Sequence, residues 1–244
     1  MAVTAKSFQL WRCRIAPQAT VSDLCREAGI KRSTLAQQLV RGKVAVVTVV
    51  AIARAYAVPP VKALGEFDGY RDIPRGVALP TDAELISQVS DTDLLRLIVA
   101  RSEGREGIGR DLRLEIAHLP HRHSVRAWFD AIDPGELRQT LAARTGIAPQ
   151  NLSAQLSAGR LTTGLAVEAA RIARVSLTSG LVVTGLLTPS EGGWAEGSRA
   201  RSLSNLPDSV LLLLARDRLD SLGKQVRRQE HGNNRDRAIW ENLG

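Results

Sequence analysis

Apolar and polar positions follow one another along most of this chain with the three- and four-residue spacing of amphipathic helices. Proline and glycine interrupt the pattern where helices would have to end, at Pro17, Gly29 and Gly42. The pattern predicts helices over residues 6–15, 21–28, 32–40, 59–67, 94–99, 179–187 and 211–214. Thr20 is expected to cap the second of these helices. The chain is therefore expected to be all-α.

The same order of apolar and small residues occurs twice, at a fixed offset of 117 positions and without a gap. Trp11 matches Trp128 near one end of the register, and Arg101 matches Arg218 near the other. The matches between them include Gly29-Ile30 with Gly146-Ile147, Leu35 with Leu152, Gln38 with Gln155, Arg54 with Arg171, Asp91 with Asp208, and Leu94 with Leu211. An ungapped match over roughly ninety residues indicates one structural unit used twice.

The repeat decides the structure of one ambiguous segment. The β-branched residues of Val44–Tyr56 would suit a strand. Its counterpart, Leu161–Arg174, has the composition of a good helix former. Because two copies of one unit should share their fold, we expect both segments to be helical.

The repeat and the glycine-rich breaks also predict the domain organisation. Three glycines among charged residues at 102–110 indicate a flexible link, followed by a short helix over 111–119. Gly232 and the two asparagines after it indicate a flexible tail. The expected divisions are a first domain over 1–104, a linker over 105–120, a second domain over 121–228 and a tail over 229–244.

The charge of the chain favours a polyanionic partner. The formal net charge is +8 and the pI is about 10.3. The excess lies in the first two-thirds of each copy, +7 over residues 1–67 and +3 over 118–187, whereas residues 68–117 carry −3. With only nine aromatic residues, the chain is poorly suited to stacking single-stranded bases, so a single-stranded nucleic acid is disfavoured as the partner.

Several other classes of protein are disfavoured. Two cysteines and no signal-type or 18-residue apolar segment predict a cytoplasmic protein without a membrane partner. The sequence has no phosphate-binding Gly-Lys-Ser/Thr loop, no His-Glu-x-x-His and no Cys-x-x-Cys, so no enzyme is expected. His118, His121 and His123 cluster without further ligands nearby, so no metal, cofactor or catalytic residue is assigned.

The most informative segment of each copy is a pair of helices joined by a glycine. It has the sequence VSDLCREAGIKRSTLAQQLVRG in residues 21–42 and RQTLAARTGIAPQNLSAQLSAG in residues 138–159. Cys25 or Ala142 lets the two helices approach closely, the following glycine allows a left-handed turn, and Ile30 or Ile147 enters the core. This spacing predicts a helix-turn-helix in each copy.

These residues resemble the Cro/repressor-type (XRE-like) helix-turn-helix family, in particular the immunity repressors of actinobacterial phages. The resemblance rests on Leu24, Gly29-Ile30 and Thr34-Leu35 in the first copy and on Leu141-Ala142, Gly146-Ile147 and Leu152 in the second, and it extends over roughly 65 residues of each. It implies two tandem lambda-repressor-like domains, each followed by additional helices. Val21 and Arg138 occupy the position where the family often has a phosphate-contacting glutamine.

The resemblance also implies which side chains contact DNA, since the second helix of such a pair places its N-terminal residues against base edges. In the first copy these are Lys31, Arg32, Ser33, Thr34 and Gln37, with Arg41 and Lys43 on phosphates. In the second copy they are Gln150 and Asn151, with Ser153 nearby and Arg138 and Arg160 on phosphates. Because the two sets differ, the site should be asymmetric.

The two helix pairs thus predict a transcriptional repressor that binds double-stranded DNA sequence-specifically, as a monomer or a homodimer. The resemblance implies that it maintains phage lysogeny and immunity. One alternative is that only the first domain binds DNA while the second dimerises. Another is a protein-interaction module such as an antitoxin or an anti-repressor. The run Leu211–Leu214 is expected to be core, with a dimer seam as its alternative.

Overall fold

Helices make up most of the regular structure in this computed structural model, which describes residues 2–104 and 116–241. The predicted all-α class is confirmed for these residues. The first copy of the repeat contains β1 (Val3–Thr4), α1 (Ala5–Ile15), α2 (Val21–Glu27), α3 (Arg32–Val40), β2 (Lys43–Val44), α4 (Val46–Ala55), α5 (Pro60–Leu64), a 3-10 turn (Ile73–Arg75), α6 (Asp82–Ser87) and α7 (Asp91–Gly104). The second contains α8 (Ser124–Ala131), α9 (Leu137–Thr145), α10 (Pro149–Ser157), α11 (Thr163–Ala173), α12 (Ser179–Val183), α13 (Ser198–Ser204) and α14 (Asp208–Glu241).

The segment Val44–Tyr56, which the repeat assigned to a helix, forms α4 over Val46–Ala55, whereas Val44 itself belongs to β2. The two short strands were not predicted. They pair antiparallel, with Val3 opposite Val44 and Thr4 opposite Lys43. A two-residue strand is too short to show alternation in sequence, and only its distant partner reveals it.

A flexible tail was predicted at the end of the second copy, and a flexible link followed by a short helix at the end of the first. The tail predicted to be flexible from residue 229 instead continues α14 as far as Glu241. A helix that is already nucleated gains one hydrogen bond for each added residue, which allows a polar segment to extend it. The predicted link at 102–110 and short helix at 111–119 lie largely outside the described residues; residues 102–104 end α7, and 116–119 are not helical.

The chain folds into two compact units, and each unit contains parts of both copies. One is Met1–Gln88 with His118–Ser198, and the other is Val89–Ala117 with Arg199–Gly244. This division differs from the sequential boundaries expected from the sequence, 1–104, 105–120 and 121–228. Its physical reason is that apolar residues of both copies are buried together, so a core is shared across the repeat.

In the first unit, equivalent arginines of the two copies make similar connections. Arg54 donates to Glu191 at 2.7 Å, and Arg171 donates to Asp72 at 2.6 Å. Glu191 lies in the segment that follows the short helix α12 of the second copy, and Asp72 lies in the segment that follows α5 of the first. The two modules are thus joined by contacts that are close to reciprocal.

Glycine makes a close approach between the modules possible. The Leu177 amide donates to the Gly76 carbonyl oxygen at 2.9 Å. A Cβ added to Gly76 would lie 2.4 Å from the Leu177 side chain, so any other residue there would displace Leu177. Nearby, α6 of the first copy packs on α8 of the second, where the Trp128 indole donates to the buried Glu84 carboxylate at 3.0 Å.

The second unit is built around α7 and α14, which lie antiparallel. Arg101 donates to Asp208 at 2.7 Å, and Arg218 donates to Asp91 at 3.4 Å. Arg101 also donates to the Leu206 carbonyl oxygen and Arg218 to that of Val89. All three pairs of positions are separated by the repeat offset, so these contacts are reciprocal, as across a two-fold axis.

The core of the second unit lies between these two helices. Its buried residues are Val89, Leu94, Leu97, Leu203, Leu211 and Ala215. Leu211 is buried while Leu212 and Leu213 are exposed, so only part of the run 211–214 belongs to this core. The run contributes to a seam between the two copies of the repeat within one chain.

Replacing Arg218 with alanine should destabilise the second unit. The substitution removes the donor for the Val89 carbonyl oxygen and the ion pair with Asp91 at a largely buried side chain. We expect the free energy of unfolding to fall by about 1–3 kcal/mol, because the remaining polar groups lose their partner. Urea unfolding followed by circular dichroism measures the loss.

Arg216→Ala is the matched control, because Arg216 lies on the same helix, is exposed and pairs with its neighbour Asp217. It should change the free energy of unfolding by less than about 0.5 kcal/mol. Equal losses in the two variants would show that the reciprocal contact does not stabilise the seam.

Candidate nucleic-acid interface

The start of α2 is fixed by Thr20, as predicted. The Thr20 hydroxyl accepts the Asp23 amide at 3.2 Å, and the Asp23 carboxylate accepts the Thr20 amide at 3.0 Å. This reciprocal pair is a capping box. Hydrogen bonds from the Thr20 hydroxyl and amide lower the pKa of Asp23, which keeps this carboxylate charged at the helix N-terminus.

A tight turn with a left-handed glycine connects α2 with α3, and another connects α9 with α10. Gly29 has φ +66° and Gly146 has φ +68°, the left-handed region that favours glycine. The Ile30 amide closes the first turn on the Cys25 carbonyl oxygen at 2.8 Å. Cys25 is buried between the helices, and burial raises the pKa of its thiol. The sequence prediction of the turn is confirmed.

The structure places α3 with one face in the core and the opposite face in solvent. Leu35 is fully buried and anchors the helix. All seven residues predicted to contact DNA in the first copy are exposed: Lys31, Arg32, Ser33, Thr34, Gln37, Arg41 and Lys43. The predicted side chains are thus brought to one helix and its two flanks.

The cations of this surface are available to a ligand. Within the part of the chain that the structure describes, Lys31, Arg32, Arg41 and Lys43 make no ion pair. Lys31 precedes α3 without a side-chain hydrogen bond to the first turn. The first amides of α3 add a partial positive charge to that of Lys31 and Arg32, which lie at the same end of the helix.

The counterpart surface on α10 is exposed but carries less free charge. Gln150, Asn151, Ser153 and Arg160 are all exposed. Arg138 is exposed as well, but its guanidinium donates to Asp130 at 2.8 Å and lies 6.0 Å from the centre of the Phe129 ring.

Arg144, which also belongs to the second helix pair, is bound to Glu168 at 2.8 Å. Of the three arginines in residues 138–160, only Arg160 lacks an ion pair in the described structure. The asymmetry between the copies is therefore one of charge as well as of sequence.

Two glutamines that the sequence analysis did not assign hold these helices in place. The Gln38 carboxamide oxygen accepts the Ala45 amide at 2.9 Å, and that of Gln155 accepts the Thr162 amide at 3.3 Å. Ala45 and Thr162 are the N-caps of α4 and α11. Each glutamine thus ties the exposed helix to the buried one that follows. The signal in the sequence is that both glutamines recur at the repeat offset.

No family model, no curated protein and no solved structure matches this chain. The functional argument therefore depends on the residues of the chain itself. Among the residues that the structure describes, no helix is both long and apolar enough to cross a membrane. The same residues contain no group of three or more His, Cys, Asp or Glu side chains placed to hold a metal ion.

Gln38→Ala should loosen α3 from α4, since it removes the acceptor of the Ala45 amide. We expect the free energy of unfolding to fall by about 1 kcal/mol. The neighbouring Gln37→Ala is the control, because Gln37 is exposed on the other face and should change it by less than about 0.5 kcal/mol. Thermal unfolding of both variants measures the difference; similar stabilities would show that the Gln38 hydrogen bond does not anchor α3.

Proposed function

We propose that this chain is a sequence-specific double-stranded DNA-binding transcriptional repressor of the phage-immunity kind. In this proposal the helix pairs α2–α3 and α9–α10 are the helix-turn-helix units of two tandem lambda-repressor-like modules. The observation that carries it is the cationic surface of α3, in which seven polar or charged side chains are exposed and the four cations make no ion pair with any residue the structure describes. Such a protein acts in the host cytoplasm and needs no cofactor.

The proposed contacts follow from the chemistry of the side chains. With α3 in the major groove, Arg32 pairs with both acceptors of a guanine and Gln37 pairs with an adenine. Arg41 and Lys43, at the far end of the helix, bind phosphates and release counterions, so affinity falls as salt rises. The hydroxyl groups of Ser33 and Thr34 form hydrogen bonds with bases or with phosphates.

One chain supplies both modules in this proposal. The shared core and the reciprocal bonds of Arg54 and Arg171 hold them together without a second subunit. The exposed residues at the start of the two helices differ, Lys31–Thr34 against Ala148–Asn151, which favours an operator with two unlike halves.

A second candidate keeps DNA binding but assigns it to the first module alone. It is favoured by the ion pairs of Arg138 and Arg144, which leave Arg160 as the one arginine of residues 138–160 without an ion pair to a described residue. In this version the second module completes the shared core and contributes little affinity.

Arg32→Ala should weaken specific binding. Loss of a two-hydrogen-bond contact to guanine costs about 1–3 kcal/mol, or roughly a five- to 150-fold rise in Kd. The measurement is fluorescence anisotropy on a site selected from random DNA, at about 150 mM salt with competitor DNA. Arg216→Ala removes one exposed positive charge from α14 and is the charge-matched control, with a Kd close to that of the wild type.

If the wild-type chain forms no specific complex at this salt, the repressor proposal is wrong and a protein-interaction module, such as an antitoxin or anti-repressor, replaces it. Equal weakening by both arginine variants would indicate a general charge effect instead of base recognition.

The double variant Gln150→Ala, Asn151→Ala distinguishes the two candidates. If both modules contact bases, its selected sites should lose sequence preference in one half only, while the half bound by α3 keeps it. Unchanged affinity and unchanged selected sites would establish the second candidate. Sedimentation of the wild-type complex should show one chain per site; a strictly palindromic site with two chains would exclude an asymmetric operator.

A further inference from the structure

The segment that enters each copy of the repeat packs against the glycine that follows the exposed helix of that copy. In the first copy, the Ala5 amide donates to the Gly42 carbonyl oxygen at 2.9 Å. In the second, a Cβ added to Gly159 would lie 3.1 Å from the Arg122 carbonyl oxygen. Ala5 and Arg122 are equivalent at the repeat offset, and so are the two glycines. The chain therefore approaches the end of α3 and the end of α10 in the same way.

Each of these entering segments brings one cation to that end of the helix, and the sequence analysis assigned neither. Lys6 lies two residues after Thr4, which is paired with Lys43 across the two short strands. Arg122 approaches the glycine that precedes Arg160. Lys6 and Arg122 are exposed, and neither makes an ion pair within the residues that the structure describes. Both side chains are thus available to a ligand.

The cations at these two places have no acidic neighbours along the chain. Aspartate and glutamate are absent from residues 1–22, 28–65, 117–129 and 137–167. The strand pairing nevertheless adds Lys6 to Arg41 and Lys43, and the approach at Gly159 adds Arg122 to Arg160. Charges of one sign that are held together repel, and a bound polyanion relieves that repulsion. The grouping therefore favours an anionic partner over an ordinary surface of paired charges.

We propose that Lys6 and Arg122 bind phosphates of the DNA backbone, next to the predicted phosphate contacts of Lys43 and Arg160. This proposal rests on the proposed function, because it extends the same DNA-binding surface. Backbone contacts fix the position of a module on the duplex and carry no sequence information. In the second module the contact of Arg122 adds a second cation to Arg160, so this module also binds the duplex.

The experiment measures Kd of the full-length chain for its selected site over a series of salt concentrations. Each lost phosphate contact should lower the slope of log Kd against log salt concentration by about 0.9, because fewer counterions are released. Lys6→Ala and Arg122→Ala should each show this decrease, and Lys6→Arg should keep the wild-type slope. Kd for a random duplex should rise by the same factor as Kd for the selected site, because phosphates are the same in both.

Lys62→Ala is the matched control. Lys62 is exposed and makes no ion pair in the described part of the chain. It lines a small cavity together with Arg14, at the end of α1 opposite Lys6. Its replacement removes one positive charge away from the proposed contacts and should leave the slope unchanged. Circular dichroism of each variant checks that its helices are kept.

Failure of this proposal and failure of the proposed function give different results. If the wild-type chain binds no DNA site specifically, the proposed function is wrong and the two phosphate contacts with it. If the wild type binds specifically but Lys6→Ala or Arg122→Ala keeps its slope, the proposal is overturned for that module and the proposed function stands. An equal decrease in Lys62→Ala would overturn the proposal as well, because it would indicate a general effect of net charge.

Discussion

Burial of apolar side chains from both copies in common cores is the interaction on which the rest of this structure depends. In the first unit a single core includes Trp11 of one copy and Trp128 of the other. In the second, Leu94 and Leu211 are buried between α7 and α14. Ion pairs such as Arg54 with Glu191 lie at the margins of these contacts and are partly exposed, so they orient the modules more than they stabilise them. The exposed surface of α3 is held in place by this framework.

Much of the secondary structure was predictable because helical periodicity and the repeat are both local properties of the sequence. The repeat was decisive for α4, whose β-branched residues alone would have suggested a strand. The exchange of segments between the copies was not predictable. The repeat relates positions that are equivalent, such as Leu94 and Leu211, and says nothing about whether they touch. Here they meet in one core, so the units of the structure cut across the order of the chain.

In the candidate site, too, features that depend on neighbouring residues were predictable, whereas features that depend on residues far along the chain were not. Exposure of Lys31, Arg32 and Gln37 follows from the helical positions they occupy relative to the buried Leu35. The ion pair of Arg138 with Asp130 could not be predicted in this way, because Asp130 belongs to a different helix. Likewise, the bond from Ala45 to Gln38 depends on how the chain turns after α3. Sequence reasoning therefore found the side chains that face solvent more readily than those that hold the surface in place.

The reciprocal contacts of Arg101 and Arg218 resemble those between two identical subunits, yet both arginines belong to one polypeptide. Regulators assembled from separate subunits lose their binding-competent form on dilution, because assembly obeys mass action. In the proposed repressor both halves belong to one chain, so no such assembly step precedes binding. Its occupancy of a single site would rise in proportion to its concentration instead of with the square. Each half is also free to change without altering the other, since a substitution in one is not copied into its counterpart.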